Sequence, residues 1–582
     1  MARSQLQKLT AYLRPHWRVL VLGIFALLVV NGVGVYIPLL IRNSVDELQT
    51  EFSFQQVIYY TMLILVLASV MWIVRMVSRI LLFGVGRQVE FDLKQKIFKH
   101  LLTLEPSYFS SNTAGDLISR ATSDVDNIRR LLGFAVLSLA NTLFAYALTL
   151  PVMLSINLRL SLLAIAVYPV MLILVQLFSN RLRNEQLEVQ QETASLSDLI
   201  QEDISGIALI KIYAQEENER RAFRQLNQQL LSANLRLAKT RNMLFPLLTG
   251  LANISLLIIL GLGAGEIANA RLSIGDFIAL LLYVERLVFP TALLGFTITA
   301  YQRGEVSIDR VESILTVEPR IRDVPNAIHL PYTEVKGSLS ASHLTYTYPE
   351  AKAPALDDIS FTIQPGETIA VVGPIGSGKS TLANALPLLL DVAPSQLFLD
   401  GFDITQVQLS DLRSAIAYVP QDSFLFSTTI KNNVRYGDPV AEQQEVEYAA
   451  KQAQIHPEIL NFPQQYETIV GERGITLSGG QRQRTALSRA LLVDAPILIL
   501  DDSLSSVDNQ TATEILKNLS EGTQRKTVIF ISHQLSAAAT ADRIFVMDKG
   551  RIVQSGIHAD LLTQPGLYQT LWDQQKLEEV LQ

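Results

Sequence analysis

The sequence predicts two unlike halves, an all-α domain of six membrane-spanning helices followed by a soluble α/β domain. Three observations lead there. Up to about Tyr301 the chain is dominated by apolar runs of bilayer length, whereas from about Gly337 short apolar runs alternate with charged and glycine-containing turns. Between them Pro319, Pro325 and Pro331 recur among charges, which prevents one long helix and marks a linker. In the second half a glycine-rich stretch, GPIGSGKST, joins a strand-like run to a helical one. The expected boundaries are 1–310 for the membrane domain, 311–336 for the linker and 337–582 for the α/β domain.

Composition excludes some classes. A net charge of −7 without a Lys/Arg stripe argues against a nucleic-acid partner. With no cysteine, disulfides and thiol catalysis are ruled out.

Near the start, Leu6, Leu9 and Leu13 share one helical face, which reads as a short helix in the membrane interface or as a plain cytosolic one. The six apolar runs are then 19–41, 57–83, 131–156, 160–178, 244–267 and 277–300. Each approaches the ~20 residues that a helix needs to cross a bilayer. The first is too long for a signal-peptide core and has no small-residue cleavage site after it. Lys and Arg crowd the N-terminal tail and the segments 87–130 and 181–241, while the loops 42–54, 157–159 and 268–275 are poorer in them. By the positive-inside rule the two long segments and both termini are cytoplasmic.

Those segments are helical in pattern. Phe109–Ile128 and Asp198–Phe223 each carry a short apolar patch within charged sequence, readable as a docking element for the soluble half or as interhelix packing. Four ionisable residues, Arg75, Arg79, Glu285 and Arg286, fall at or near membrane depth. Such residues are costly in lipid, and they read either as cavity lining or as interface and packing residues.

The chemistry is in the second half. GPIGSGKST fits the phosphate-loop pattern, and its context of preceding strand (Thr368–Val372) and following helix (Leu382–Leu390) is the one that pattern requires. In Gly373, Pro374, Ile375, Gly376, Ser377, Gly378, Lys379, Ser380 and Thr381 the glycines allow a tight turn that aims amide N–H groups at a polyphosphate. Lys379 is expected on the β- and γ-phosphates and Ser380 on Mg²⁺. PILILDDSLSSVD is an apolar strand ending in two carboxylates. Asp501 there suits Mg²⁺, and Asp502 suits the positioning or deprotonation of a water. LSGGQRQR is a second glycine-turned helix start, which one nucleotide could not use together with the first from a single subunit. VIFISHQ places His533 just past a strand, and YVPQD supplies Gln421 as a neutral ligand for Mg²⁺ or water.

This ordered set of motifs resembles an ABC transporter half-exporter, over nearly the whole chain. The resemblance implies ATP and Mg²⁺ as cofactors, ATP hydrolysis coupled to export of amphipathic, drug-like or lipidic molecules, and a multi-pass location in the inner membrane with the nucleotide domain in the cytoplasm. It implies that Tyr348 stacks on adenine, that Gln421 links Mg²⁺ to the membrane domain and that His533 is a switch residue. It implies that VGERG (470–474) meets the cytoplasmic helices, and that SSVD (505–508) crosses a dimer interface. In such a dimer Leu477, Ser478, Gly479, Gly480 and Gln481 close over ATP held by the other subunit. One position departs from the pattern, with Asp502 standing where the family has Glu. That resembles the impaired-site subunit of heterodimeric exporters, and it implies a partner chain that carries Glu. An importer is disfavoured because the membrane part is on the same chain. A peptide exporter with a processing protease lacks its catalytic cysteine here, and a nucleotide-gated channel or regulator would share every motif.

Overall fold

The computed structural model describes residues 5–50, 53–349, 351–471, 474, 476–520 and 525–581. The chain divides into two compact units, Met1–Leu102 with Asn112–Val317, and Thr103–Ser111 with Glu318–Gln582.

Six helices of the first unit are long and apolar enough to cross a membrane, namely Lys8–Gln49, Phe54–Leu101, Ala114–Ile156, Leu158–Ser205, Glu216–Ala268 and Ile274–Leu315. They outlast the apolar runs that announce them. Leaving the bilayer changes which side chains are favourable but not the backbone hydrogen bonds, so a helix continues past its apolar run until a cap or turn ends it. That corrects two expectations. Residues 42–50 were expected as a loop, yet no Gly or Pro interrupts them and they stay helical. Residues 311–315 were expected in the linker, but they complete the sixth helix, with Val311 and Ile314 fully buried.

Polar contacts hold these helices at particular points. Asp46 accepts from Ser273 Oγ and Gly275 N, both at 2.8 Å, and Arg42 Nε lies 2.8 Å from Asp276 Oδ1. The end of the first helix is thereby tied to the capped start of the sixth. Deeper in, Arg286 donates to Asn31 O at 3.2 Å and to Asn31 Oδ1 at 3.3 Å, while Glu285 stays exposed. Arg286 thus packs against the first helix. Arg75 and Arg79 are exposed on the second. The N-terminal helix Gln5–Leu13 lies against the sixth, through Lys8 to Asp309 at 2.8 Å and Tyr12 to Glu312.

The two apolar cytoplasmic patches differ. Asp116 pairs with Arg120 at 2.6 Å and Arg310 at 2.7 Å, and Val125 and Ile128 are buried with Val85 and Val89, so this part of the first patch is interhelix packing. In the second, the helix breaks at Gly206 and restarts as Ile207–Ile212, leaving Ile204, Leu209, Ile212 and Tyr213 exposed within their unit.

The second unit contains ten strands among the described residues: β1 (Leu339–Tyr346), β2 (Leu356–Ile363), β3 (Thr368–Val372), β4 (Leu397–Leu399), β5 (Phe402–Asp403), β6 (Ile416–Val419), β7 (Ile497–Asp501), β8 (Thr527–Ile531), β9 (Arg543–Asp548) and β10 (Arg551–Gly556). One sheet runs β2-β1-β4-β5 and is antiparallel; the other runs β10-β9-β3-β8-β7-β6 and is parallel except at β10. Its central strands β3, β7 and β8 are buried along their whole length because both faces are covered. Ile497 and Ile499 of β7 enter one core, and Leu498 and Leu500 enter the other.

Candidate nucleotide site

Three adjacent parallel strands end together, and their ends build the site. In register, Val371 of β3 and Asp501 of β7 both face Ile531 of β8. The loop after β3, the carboxylates closing β7 and the turn after β8 therefore share one edge of the sheet, where open α/β sheets bind ligands.

The loop after β3 has the glycines its backbone needs. At Gly373 φ is +150° and at Gly378 +99°, and a Cβ would lie 2.1 Å from Met547 O or 2.5 Å from Ala355 O respectively. No other residue fits either position. Gly378 caps the helix Lys379–Ala385, so that helix's free N–H groups point into the loop. The helix is shorter than expected, since the run to Leu390 contains Pro387, which ends it two residues earlier.

Around this loop lies a cavity of about 390 Å³ lined by residues that are far apart in sequence, among them Tyr348, Ser377, Lys379, Gln421, Asp502 and His533. Lys379 Nζ donates to the carbonyls of Gly373 and Pro374, both at 2.9 Å, and burial lowers its pKa against the pull of Asp502 and Asp501. Ser380 Oγ donates to Asp501 Oδ1 at 2.9 Å. Burial raises the Asp501 pKa, opposed by the hydrogen bonds from Ser380 and Tyr418. Burial likewise raises that of Asp502, opposed by the His533 charge and by Gln421, whose Nε2 lies 3.4 Å from Asp502 Oδ2. Tyr348 Oη lies 3.3 Å from Thr381 Oγ1, with its ring edge-on to Tyr346 and half exposed at the mouth.

A hydroxyl and a carboxylate in contact, with an amide side chain nearby, are oxygen donors of the kind Mg²⁺ takes. Among the described residues no three His, Cys, Asp or Glu side chains cluster as a metal cage. These donors fit an ion that draws its remaining ligands from phosphate and water.

Comparison with known proteins agrees with both halves. Residues 20–291 match the family described as ABC transporter transmembrane region, and residues 356–505 match the one described as ABC transporter. The probable multidrug resistance ABC transporter ATP-binding/permease protein YheI of Bacillus subtilis is 34% identical over 576 residues, covering 99% of this chain and 98% of its own length. The chain belongs to the ABC transporter family. The multidrug resistance-like ATP-binding protein MdlA of Escherichia coli is also 34% identical, over 99% of this chain and 97% of its own. A solved bacterial Atm1-family ABC exporter with ATP bound superimposes with a TM-score of 0.77 at 26% identity, over 96% of this chain and 99% of that one. As an ABC transporter this is a multi-pass inner-membrane protein whose cytoplasmic domain binds ATP and couples its hydrolysis to export.

The remaining ABC motifs sit elsewhere. LSGGQ forms a capping box, in which Ser478 Oγ accepts from Gln481 N at 3.3 Å and Gln481 Oε1 accepts from Ser478 N at 3.0 Å, opening the helix Gly479–Leu492. Leu477 is buried and Ser478 exposed. None of Leu477, Ser478, Gly479, Gly480 or Gln481 lines the phosphate-loop cavity; Gly479 lines another, of about 570 Å³, with Ser505 and Ser506. Gln421 lines both cavities, so the two adjoin, with the LSGGQ helix start opening onto the second and not onto the phosphate loop. In VGERG, Glu472 and Arg473 lie outside the described residues.

Two residues escaped the sequence reading. Tyr418 opens the YVPQD stretch, and its Oη lies 3.3 Å from Asp501 Oδ2 and 2.9 Å from Asn384 Oδ1. It braces the carboxylate on the side opposite Ser380. Gln483 is buried and bonds both to Ser505 Oγ at 3.1 Å and to Ser506 N at 2.9 Å, joining the LSGGQ helix to the SSVD loop. The sequence shows only a glutamine within LSGGQRQR, with nothing to mark it as buried.

Proposed function

We propose that this chain is one half of a dimeric exporter for amphipathic, drug-like or lipidic molecules, and that its own nucleotide site hydrolyses ATP weakly. The observation that carries this reading is that LSGGQ does not line the phosphate-loop cavity of its own chain, and its capping box leaves Ser478 exposed, as expected of subunits that pair head to tail. In this reading Ser380, Asp501 and Gln421 hold Mg²⁺, Lys379 and the loop amides hold the β- and γ-phosphates, and Tyr348 stacks on adenine.

When bound, Mg²⁺ offsets charge on the phosphates. Asp502 orients the attacking water and His533 contacts the γ-phosphate. Asp502 is one methylene shorter than Glu, ~1.5 Å by the C–C bond length. A ~1 Å misplacement can cost ~10²-fold in rate. Asp502 has φ of +47°, in the left-handed region that Asp tolerates better than most residues. The relatives named for multidrug resistance and multidrug export support the substrate class.

The test is solute movement. With the chain and its partner half in inside-out vesicles, ATP should drive an amphipathic dye inward against its gradient. If ATP only speeds equilibration, the protein is a gated channel and the export reading fails.

A further inference from the structure

His533 lines the phosphate-loop cavity from the turn after β8, and among the described residues no hydrogen bond holds its exposed imidazole. The ring is therefore placed by the backbone on either side of it. On the β8 side the sheet fixes that backbone, with Ser532 N donating to Val371 O of β3 at 3.3 Å. Within the turn Ser532 Oγ accepts from Gln534 N at 2.9 Å. On the far side the chain enters the short helix Leu535–Ala538, whose cap residue Gln534 makes no side-chain cap hydrogen bond. The N–H of Leu535, first in that helix, can have no partner inside it.

A distant side chain takes that N–H. Gln575 Oε1 accepts from Leu535 N at 2.7 Å. Gln575 belongs to the helix Leu567–Leu581, on which Tyr568, Leu571 and Trp572 pack against the core that also holds Leu535. Tyr568 and Gln575 are about two turns apart, at ~3.6 residues per turn, so one face of the helix presents both. The start of the same helix is fixed to β10, since Tyr568 N donates to Gln554 Oε1 at 3.0 Å and Tyr568 Oη lies 2.7 Å from His558 Nδ1. The acceptor for Leu535 N thus comes from an element anchored elsewhere in the unit, and that element sets where the turn carrying His533 stands.

We propose that Gln575 is a positioning residue for the nucleotide site, holding the turn at Leu535 so that the His533 imidazole meets the γ-phosphate. This rests on the reading of His533 given above, which His533→Ala tests separately. A cap that only stabilised the fold would affect every nucleotide alike. One that places His533 affects only nucleotides that carry a γ-phosphate.

The full chain, in phosphatidylcholine nanodiscs and in the assembly in which it purifies, is titrated with Mg²⁺ and either ADP or adenylyl imidodiphosphate, whose γ-phosphate is not hydrolysed. His533→Ala should lower affinity for the triphosphate analogue by roughly 2- to 12-fold, the range of one net hydrogen bond, and leave that for ADP unchanged. Gln575→Leu removes the acceptor but keeps much of the bulk; it should lower triphosphate affinity by at least ~2-fold, again with ADP unchanged. Gln575→Glu keeps an acceptor oxygen and should restore it. Gln575→Asn, one methylene too short to reach, should behave as the Leu variant and keeps the test readable if that one does not fold, which ADP binding reports. In His533→Ala/Gln575→Leu the loss should be no greater than in His533→Ala alone, because residues acting through one contact are not additive. Equal losses for ADP and the analogue, additive losses in the double variant, or an unchanged preference in the Leu and Asn variants would overturn the proposal alone. An unchanged preference in His533→Ala would overturn it together with the reading of His533.

Discussion

Ser380 Oγ donates to Asp501 Oδ1 at 2.9 Å, joining the phosphate loop to the end of β7 across 121 positions of sequence. Tyr418 reaches the same carboxylate from β6 at 3.3 Å. The carboxylate is therefore fixed by two neighbouring elements, and its position depends on sheet register more than on its own loop.

Replacing Lys379 by Ala should weaken ATP binding at this chain's loop by roughly 10- to 150-fold, because a hydrogen bond to a charged group is worth ~1.5–3 kcal/mol. Equilibrium binding of labelled ATP measures this. An unchanged Kd would overturn the phosphate-loop assignment.

Tyr418→Phe removes the brace on Asp501 while keeping the ring buried. Freed of one hydrogen bond that favours its ionised form, Asp501 should hold Mg²⁺ less well, raising the Mg²⁺ needed for half-maximal nucleotide binding by a few-fold for a bond worth ~1 kcal/mol. Binding of ATP without Mg²⁺ should not change. Equal loss with and without the metal would mean that the ring merely packs.

Gly34 and Arg286 form a second tight pair, since a Cβ on Gly34 would fall 1.9 Å from Arg286 Nη1. Gly34→Ala must move the guanidinium off Asn31, at a cost on the order of 1–3 kcal/mol. Arg286→Ala removes the obstacle, so the double variant should lose less than the sum of the two single losses. Thermal unfolding in lipid nanodiscs reads this; strict additivity would show that the two side chains do not interact.

The legible parts of this molecule were those where one local pattern decides the outcome. Apolar runs gave six helices, and the glycines of the phosphate loop mark positions where a Cβ meets Met547 O or Ala355 O. What stayed hidden depended on contacts distant in sequence. Helix ends were misjudged at residues 42–50 and 311–315, because hydropathy reports the bilayer and not the hydrogen-bonded helix that continues past it. The brace from Tyr418 needs the β6–β7 pairing, and the clamp by Gln483 needs the SSVD loop to fold back on its helix.

Topology follows from the spans. Cysteines introduced singly at Gly115 and Glu216 meet no competing thiol in a cysteine-free chain. An impermeant thiol reagent outside intact cells should label neither position until the membrane is opened. Labelling of either in intact cells would contradict six spans with cytoplasmic helical extensions.

The phosphate loop and LSGGQ make assembly testable through asymmetry. In the reading proposed above, Asp502 weakens only the site built on this chain's own loop, while Ser478, Gly479, Gly480 and Gln481, capped as a helix start, serve ATP held by a partner. In a heterodimer whose partner carries Glu, Asp502→Ala should lower ATPase activity only modestly, because most turnover occurs at the partner's loop. Ser478→Arg should nearly eliminate it, since a long cation at an exposed helix N-terminus obstructs the partner's nucleotide and opposes the helix dipole. A homodimer inverts the first expectation: both sites then depend on Asp502, and Asp502→Ala silences them together. Purified chain alone separates the cases, and robust substrate-stimulated hydrolysis that disappears in Asp502→Ala would rule out the heterodimer.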